Sequence, residues 1–173
     1  MIISRIISGG QTGVDEAALR AARARGVPTG GTMPRGFKTL AGPRPEFREL
    51  YGMVEHASDK YPPRTRANVE ASDVTVRIAW NLRTLGELAT ALACRQADKP
   101  MFDITLRRYA LGYDLMTSHE LPRAVDGLRD LAAKLGRPIV VNFAGNSEQT
   151  AHGIGAFAEQ VVGRILDRLK EMS

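Results

Sequence analysis

The chain has 173 residues, 43% of them hydrophobic and 25% charged, the mix of an ordinary globular domain with enough length for one substantial core. No apolar run reaches the roughly 20 residues of a membrane span. The apolar N-terminus lacks the basic lead and small-residue cleavage site of a secretory signal, and the single cysteine, Cys94, excludes an intramolecular disulfide framework. These features imply a cytoplasmic protein built as one domain over residues 1–173, with no membrane partner. The formal net charge of +5 and the pI near 9.7 come from scattered arginines and lysines. There is no zinc-finger spacing, RNP aromatic motif or basic heptad, which argues against nucleic acid. A solvated surface or a preference for small anions remains.

In chain order, residues 2–7 are β-branched and apolar and predict a buried first strand. The stretch "SGGQTGVDEAAL" then turns into a helix over 14–25. Asp15 and Glu16 lie in its first turn, Arg20, Arg23 and Arg25 lie toward its end, and Gly26 stops it. A short strand is expected over 27–30. Residues 31–62, rich in Gly and Pro, read as long loops of the kind that usually carry function. A short helix over 64–71, a β-branched strand over 74–79, a helix over 84–97 and a strand beginning "KPMFDI" follow. The segment 106–120 is too apolar for a free loop and fits a lid, a subunit contact or a surface helix. Leu121, Val125, Leu128, Leu131 and Leu135 mark an amphipathic helix closed by Gly136. "PIVVNF" is a strand, and Phe157, Val161, Val162, Ile165, Leu166 and Leu169 mark a last helix. Strands alternating with helices predict an α/β fold, a doubly wound parallel sheet with helices on both faces.

In such folds ligands bind beyond the carboxyl ends of the strands. The polar and glycine-rich segments that follow strands directly are 9–15, 30–36, 80–86 and 142–146. The first is neither a Walker A loop nor G-x-G-x-x-G. Its glycines and helix-start N–H groups nevertheless suit an anion, with Gln11 and Thr12 as added donors; a turn that only lets the helix pack on the sheet is the alternative. Asp15 either serves the helix dipole or receives a hydroxyl or N–H of a ligand. Arg64 and Asn68, four residues apart, share a helix face. Arg64 presents a planar fork to oxyanions or makes a surface salt bridge, and Asn68 contacts a ligand or bonds a neighbouring loop. His56, His119 and His152 are isolated, so no protein-ligated metal is expected. Cys94 reads as core, and Trp80 as a stacking or packing residue.

Taken together, "ISGGQTGVDEAAL", "GGTMPRG" and "YGMVEHASDKYPPRTRANVEASD", with "VVNFAGNSE" later, resemble the molybdenum cofactor carrier proteins. These belong to a Rossmann-like superfamily shared with YpsA-like proteins and LOG-type phosphoribohydrolases. The resemblance implies a Rossmann-like fold and a phosphorylated pterin-type ligand, molybdenum cofactor, that is bound and protected at the carboxyl edge of the sheet, with any metal arriving with the ligand. It assigns the ligand's phosphate to a first loop of Gly9, Gly10, Gln11, Thr12 and Gly13, with Asp15 just inside the helix. A second loop of Gly30, Gly31, Pro34, Arg35 and Gly36 lies over the ligand, and Arg64, Thr65 and Asn68 supply polar contacts. It also implies a homo-oligomer, dimer or tetramer, and protein partners among molybdoenzymes or cofactor-synthesis enzymes.

The chain departs from the family pattern where a third glycine loop is expected. Leu85, Gly86 and Glu87 stand there, with Thr90 retained, so only Gly86 and Thr90 match. In the LOG-type register, P-G-G-x-G-T-x-x-E ends on Thr84 and Glu87. This makes Glu87 either a helix-start carboxylate or, with Arg64, the catalytic pair of a phosphoribohydrolase that cleaves an N-glycosidic bond. A nucleotide-binding or ADP-ribose-binding protein is the related alternative. Near the C-terminus, Asn146 stands where a Pro is common.

Overall fold

The computed structural model describes residues 2–110 and 112–172. The chain runs β1 (Ile3–Ser8), α1 (Val14–Ala24), β2 (Thr29–Met33), a 3-10 turn (Arg35–Phe37), β3 (Lys38–Thr39), β4 (Gly42–Pro43), α2 (Phe47–Tyr51) and β5 (Met53–Glu55). It continues with α3 (Tyr61–Ala71), β6 (Val74–Ala79), α4 (Leu85–Gln96), β7 (Met101–Tyr109), β8 (Gly112–Leu115), α5 (Glu120–Leu135), β9 (Ile139–Gly145) and α6 (Ile154–Glu171). Seven strands form one sheet in the order β5-β2-β1-β9-β6-β7-β8. Every pairing in it is parallel except β7 with β8. Helices α1, α5 and α6 pack together on one face, and α3 packs with α4 on the other. This is the Rossmann-like, doubly wound α/β architecture that the alternating pattern predicts.

The central strands read as continuous apolar runs because both of their faces are covered. All six residues of β6 are buried, and Ile6, Val76, Ile78, Val141 and Phe143 are fully enclosed with Val14, Ala17 and Ala21 of α1 and Ile154, Val162 and Ile165 of α6. Gly136, with φ 64°, closes α5 in the left-handed conformation that favours glycine.

Two expectations need correction. Residues 31–62 are not only loops. Met33, Phe37, Phe47, Tyr51 and Met53 gather with Leu19 into a small second core, with the Phe47 and Tyr51 rings edge to face at 5.0 Å. The elements that carry Phe47, Tyr51 and Met53, α2 and β5, are five and three residues long, too short for a periodicity to register. The segment 106–120 is not a surface helix. Strand β7 runs on to Tyr109 and β8 returns beside it. The hydroxyl of Tyr113 donates to His152 O at 3.0 Å, and Glu120 accepts from Thr105 N and Thr105 Oγ1, so the hairpin is fastened to the sheet and to the start of α6. Leu111 lies outside the described residues. Among the described residues no helix is long and apolar enough to cross a membrane.

Asn68 positions α3. Strand β2 pairs with β1 only at Thr29 and Gly30, and two residues later the Asn68 side chain takes over the role of the missing strand. Its Oδ1 accepts from Thr32 N at 2.7 Å and its Nδ2 donates to Thr32 O at 2.9 Å. Asn68 is thus a bridge from α3 to the sheet, and it does not line the cleft described below. Asn68→Ala leaves both Thr32 groups unpaired in a half-buried setting, and we expect a loss of about 2 kcal/mol in urea unfolding. A change below about 0.5 kcal/mol would show that the bridge does not hold α3.

Candidate functional site

The loops after β1, β6 and β9 meet the first turns of α3 at the carboxyl edge of the sheet. Between them lies a cleft of about 570 Å³. A groove of similar volume opens at the opposite edge among Ile2, Ile3, Val27 and Leu166, but it sits by the C-terminal ends of α1 and α6 and receives no glycine loop. The carboxyl-edge cleft is therefore the candidate site.

The first loop is closely built. Gly13, with φ 92°, adopts a conformation unsuited to other residues, and a Cβ there would come within 2.5 Å of Asn146 O. A Cβ on Gly9 would fall 1.5 Å from Arg64 Nη1, so the absent side chain is what lets the guanidinium lie on the loop. Most of the loop's N–H groups already have partners. Gln11 N donates to Asp15 Oδ2, Gly10 N to Ser8 Oγ, Thr12 N to Gln11 Oε1 and Val14 N to Asn146 O. The carboxylate of Asp15 thus sits where the sequence reading puts a phosphate. It also pairs with Arg64 Nη1 at 3.2 Å. Burial nonetheless holds the Asp15 carboxyl above its usual range, outweighing Arg64 and the loop amides. Gln11 Oε1 also accepts from Leu40 N at 2.9 Å, tying the β3–β4 hairpin to the loop.

Helix α6 closes its own N-terminus in the same way, since Glu148 accepts from Gly153 N and Gly155 N, each at 2.7 Å. Helix α4 differs. Thr84 caps it by accepting from Glu87 N at 3.3 Å, and the N–H groups of Leu85 and Gly86, both at the cleft, have no partner among the described residues. Thr84 and Glu87 have the spacing of a capping box, yet Glu87 turns inward. Its Oε1 accepts from Asn146 Nδ2 at 3.1 Å, and its Oε2 has no hydrogen-bond partner. The nearest cation is Arg77 Nε, 3.8 Å away. Burial, opposed by Arg77 and reinforced by Asp15, pushes the Glu87 carboxyl up to about 7. Arg64 Nε is likewise buried without a partner.

Of the residues picked out from the sequence, Gln11, Asp15, Arg64, Thr65, Gly86, Glu87 and Thr90 line this cleft. Gly9, Gly10, Thr12 and Gly13 stand behind it as the loop's frame. The second loop lies away from it. A Cβ on Gly31 would meet Ser8 O at 2.1 Å, so this glycine lets β2 approach β1. Pro34 precedes the 3-10 turn, Arg35 N donates to Ser58 O, and Gly36 N donates to Glu55. Trp80 stacks under Arg108. The sequence reading missed Leu40, Tyr61 and Ser147 on the cleft wall, and Arg77 beneath it. An arginine in the middle of an apolar strand, "VTVRIA", is the signal that could have found Arg77. Among the described residues no three His, Cys, Asp or Glu side chains are grouped so that they could hold a metal ion.

The fold defines a Rossmann-like α/β protein with an open cleft at the carboxyl edge of its sheet. Residues 6–166 match the family described as circularly permutated YpsA SLOG, and the chain belongs to that family. Among solved structures it is similar to the crystal structure of a "putative molybdenum carrier protein" from Syntrophus aciditrophicus SB, with 28% identity, a TM-score of 0.74 and coverage of 97% of this chain and 95% of that one. No curated protein matches it.

A carboxyl in the unfolded chain loses its proton near 4.5, whereas Glu87 keeps its own to about 7. The folded state therefore holds the extra proton between those values, and stability falls as pH rises through that window, by about 3 kcal/mol in all. Glu87→Gln carries no such titration and retains an oxygen for Asn146. Its melting temperature relative to wild type is expected to climb from pH 4.5 to 7 and then level off. A difference independent of pH would mean that Glu87 ionises like an exposed carboxyl.

Proposed function

We propose that the protein binds a small phosphorylated ligand carrying a flat heterocycle, and that it is a carrier whose cargo is molybdenum cofactor. The observation that carries the binding reading is the open N-terminus of α4. Two unpartnered N–H groups, at the positive end of a twelve-residue helix, face the same cleft as the Arg64 guanidinium. A phosphate seated there is met by backbone donors, with the Arg64 side chain on the same cleft wall. A phosphate on the first loop would instead have to displace the Asp15 carboxylate. Leu40, Tyr61 and Leu85 supply apolar walls for a ring. Holding and shielding such an anion needs no chemical step. The choice of cargo rests on the sequence resemblance to the molybdenum cofactor carriers and on the name of the Syntrophus protein, a molybdenum carrier.

One observation favours a second reading, hydrolysis of an N-glycosidic bond in a nucleotide. Glu87, on the cleft wall, is a buried carboxyl that keeps its proton near neutrality and has one oxygen without a hydrogen-bond partner. It would give that proton to the departing base while water adds hydroxide to the sugar carbon and returns its own proton to the Glu87 carboxylate, and Arg64 would hold the phosphate.

Native mass spectrometry of protein isolated from cells that make the cofactor, with molybdenum analysis, tests the first reading, for which a pterin–molybdenum adduct is expected. Gly86→Asp places a carboxylate at the α4 N-terminus in open space, where a Cβ meets nothing within 4 Å. It should lower retention of the adduct at least tenfold without loss of fold. An adduct indifferent to Gly86→Asp would move the phosphate elsewhere. Release of free base from nucleoside monophosphates, abolished in Glu87→Gln, would establish the second reading instead.

A further inference from the structure

We infer that Arg77 and Asp103, which do not line the cleft, are positioning residues that set the charge state of Glu87 and thereby the cleft's tolerance for an anion. The inference rests on the proposal that this cleft holds the ligand.

Arg77 is an arginine on β6 with a side chain only 6% exposed. It sits directly opposite Asp103 of β7 in the parallel register. Its fork is closed on that neighbour, Nε donating to Oδ1 and Nη2 to Oδ2, both at 2.8 Å. The remaining nitrogen, Nη1, donates to the main-chain oxygen of Glu87 at 2.7 Å, which fixes the first turn of α4 against the sheet. The geometry thus separates two tasks. Arg77 holds the backbone of Glu87 by a short hydrogen bond, but it keeps its guanidinium 3.8 Å from the carboxyl, beyond hydrogen-bond reach, because Asp103 takes both of the donors suited to a bidentate pair.

The groups that face Glu87 come from every element around it. Arg77 stands below on β6, Asp103 beside it on β7, Asp15 on α1 and Asn146 at the end of β9. Arg64 of α3 borders the same cleft. Within this set Asp103 acts in one direction: its own negative charge disfavours ionisation of Glu87, and it also neutralises the cation that would otherwise draw the proton off. The purpose follows from position. Glu87 stands one residue from the open N–H of Gly86. An ionised carboxylate there would oppose a phosphate at the same helix end, whereas a protonated one adds a hydrogen-bond donor.

The inference gives two variants opposite signs. Asp103→Asn leaves the charge of Arg77 undivided and should move the Glu87 titration midpoint down by about 1 pH unit; Arg77→Met removes the cation and should move it up by about 1 unit or more. The midpoint is read from the side-chain carboxyl resonance of 13C-labelled glutamate in the whole protein, with Glu87 identified by the signal missing from Glu87→Gln. Because no ligand is present, this result is independent of whether the cleft binds a cofactor, a nucleotide or neither. Arg77→Met removes a buried partner of Asp103 and risks unfolding. Asp103 is a third exposed, so Asp103→Asn alone carries the test if the other variant does not fold, and Arg77→Lys, which keeps the charge, should restore a midpoint close to wild type. Midpoints that move the same way in Asp103→Asn and Arg77→Met, or an unmoved midpoint in Asp103→Asn, would overturn the assignment.

Discussion

The cleft depends on the side chain and backbone of Asn146. Its Oδ1 accepts from Trp80 N at 3.0 Å and from Asn81 N at 2.9 Å, and its Nδ2 donates to Asn81 O at 3.0 Å and to Glu87 Oε1 at 3.1 Å. Its main-chain oxygen accepts from Val14 N at 3.2 Å. One residue at the end of β9 thus ties together the loop after β6, the first turn of α4 and the start of α1. Every polar atom of this 2%-exposed amide is engaged, as burial of an amide demands. A side chain without an amide at this position could supply none of these four bonds.

The electrostatics of the cleft follow from how each helix start is closed. Backbone N–H groups at a helix N-terminus attract an anion from whatever source is nearest. Asp15 and Glu148 are the internal anions around the starts of α1 and α6, and each makes its loop rigid while closing it to other partners. Glu87 has the right spacing to do the same for α4 but is drawn inward by Asn146. The outcome is a chamber with acidic groups in its floor, an arginine at one side and one open helix end. Such an arrangement suits a ligand that is anionic at one end and rich in donors or flat at the other.

The fold was largely legible in the sequence. The buried β-branched runs "VTVRIA" and "PIVVNF" and the spaced leucines of α5 carry their periodicity over enough residues to identify strand and helix. The elements that escaped are short, as with α2, β5 and the four-residue β8. The site was legible in part, for a different reason. Glycine loops mark where the backbone must come close to something, but not what it comes close to. At Gly31 the neighbour is Ser8 of the adjacent strand, and at Gly9 it is Arg64. Asn68 looked like a ligand contact because it shares a helix face with Arg64. Only the structure shows that β1 ends early and leaves Thr32 for Asn68 to satisfy. Arg77 was passed over because a single charge inside an apolar strand gives no spacing to read.

The pairing of β1 with β9 joins Ile3 to Ile139, nearly the whole length of the chain apart. The centre of the sheet therefore cannot close until almost every residue is available. Contacts of such long sequence separation slow folding, because a large loop must be closed before they form. Two of the segments that border the cleft, 9–15 and 144–150, follow these same two strands and are brought together by that pairing. A nascent chain held short of β9 therefore has the glycine loop but no cleft for it to border.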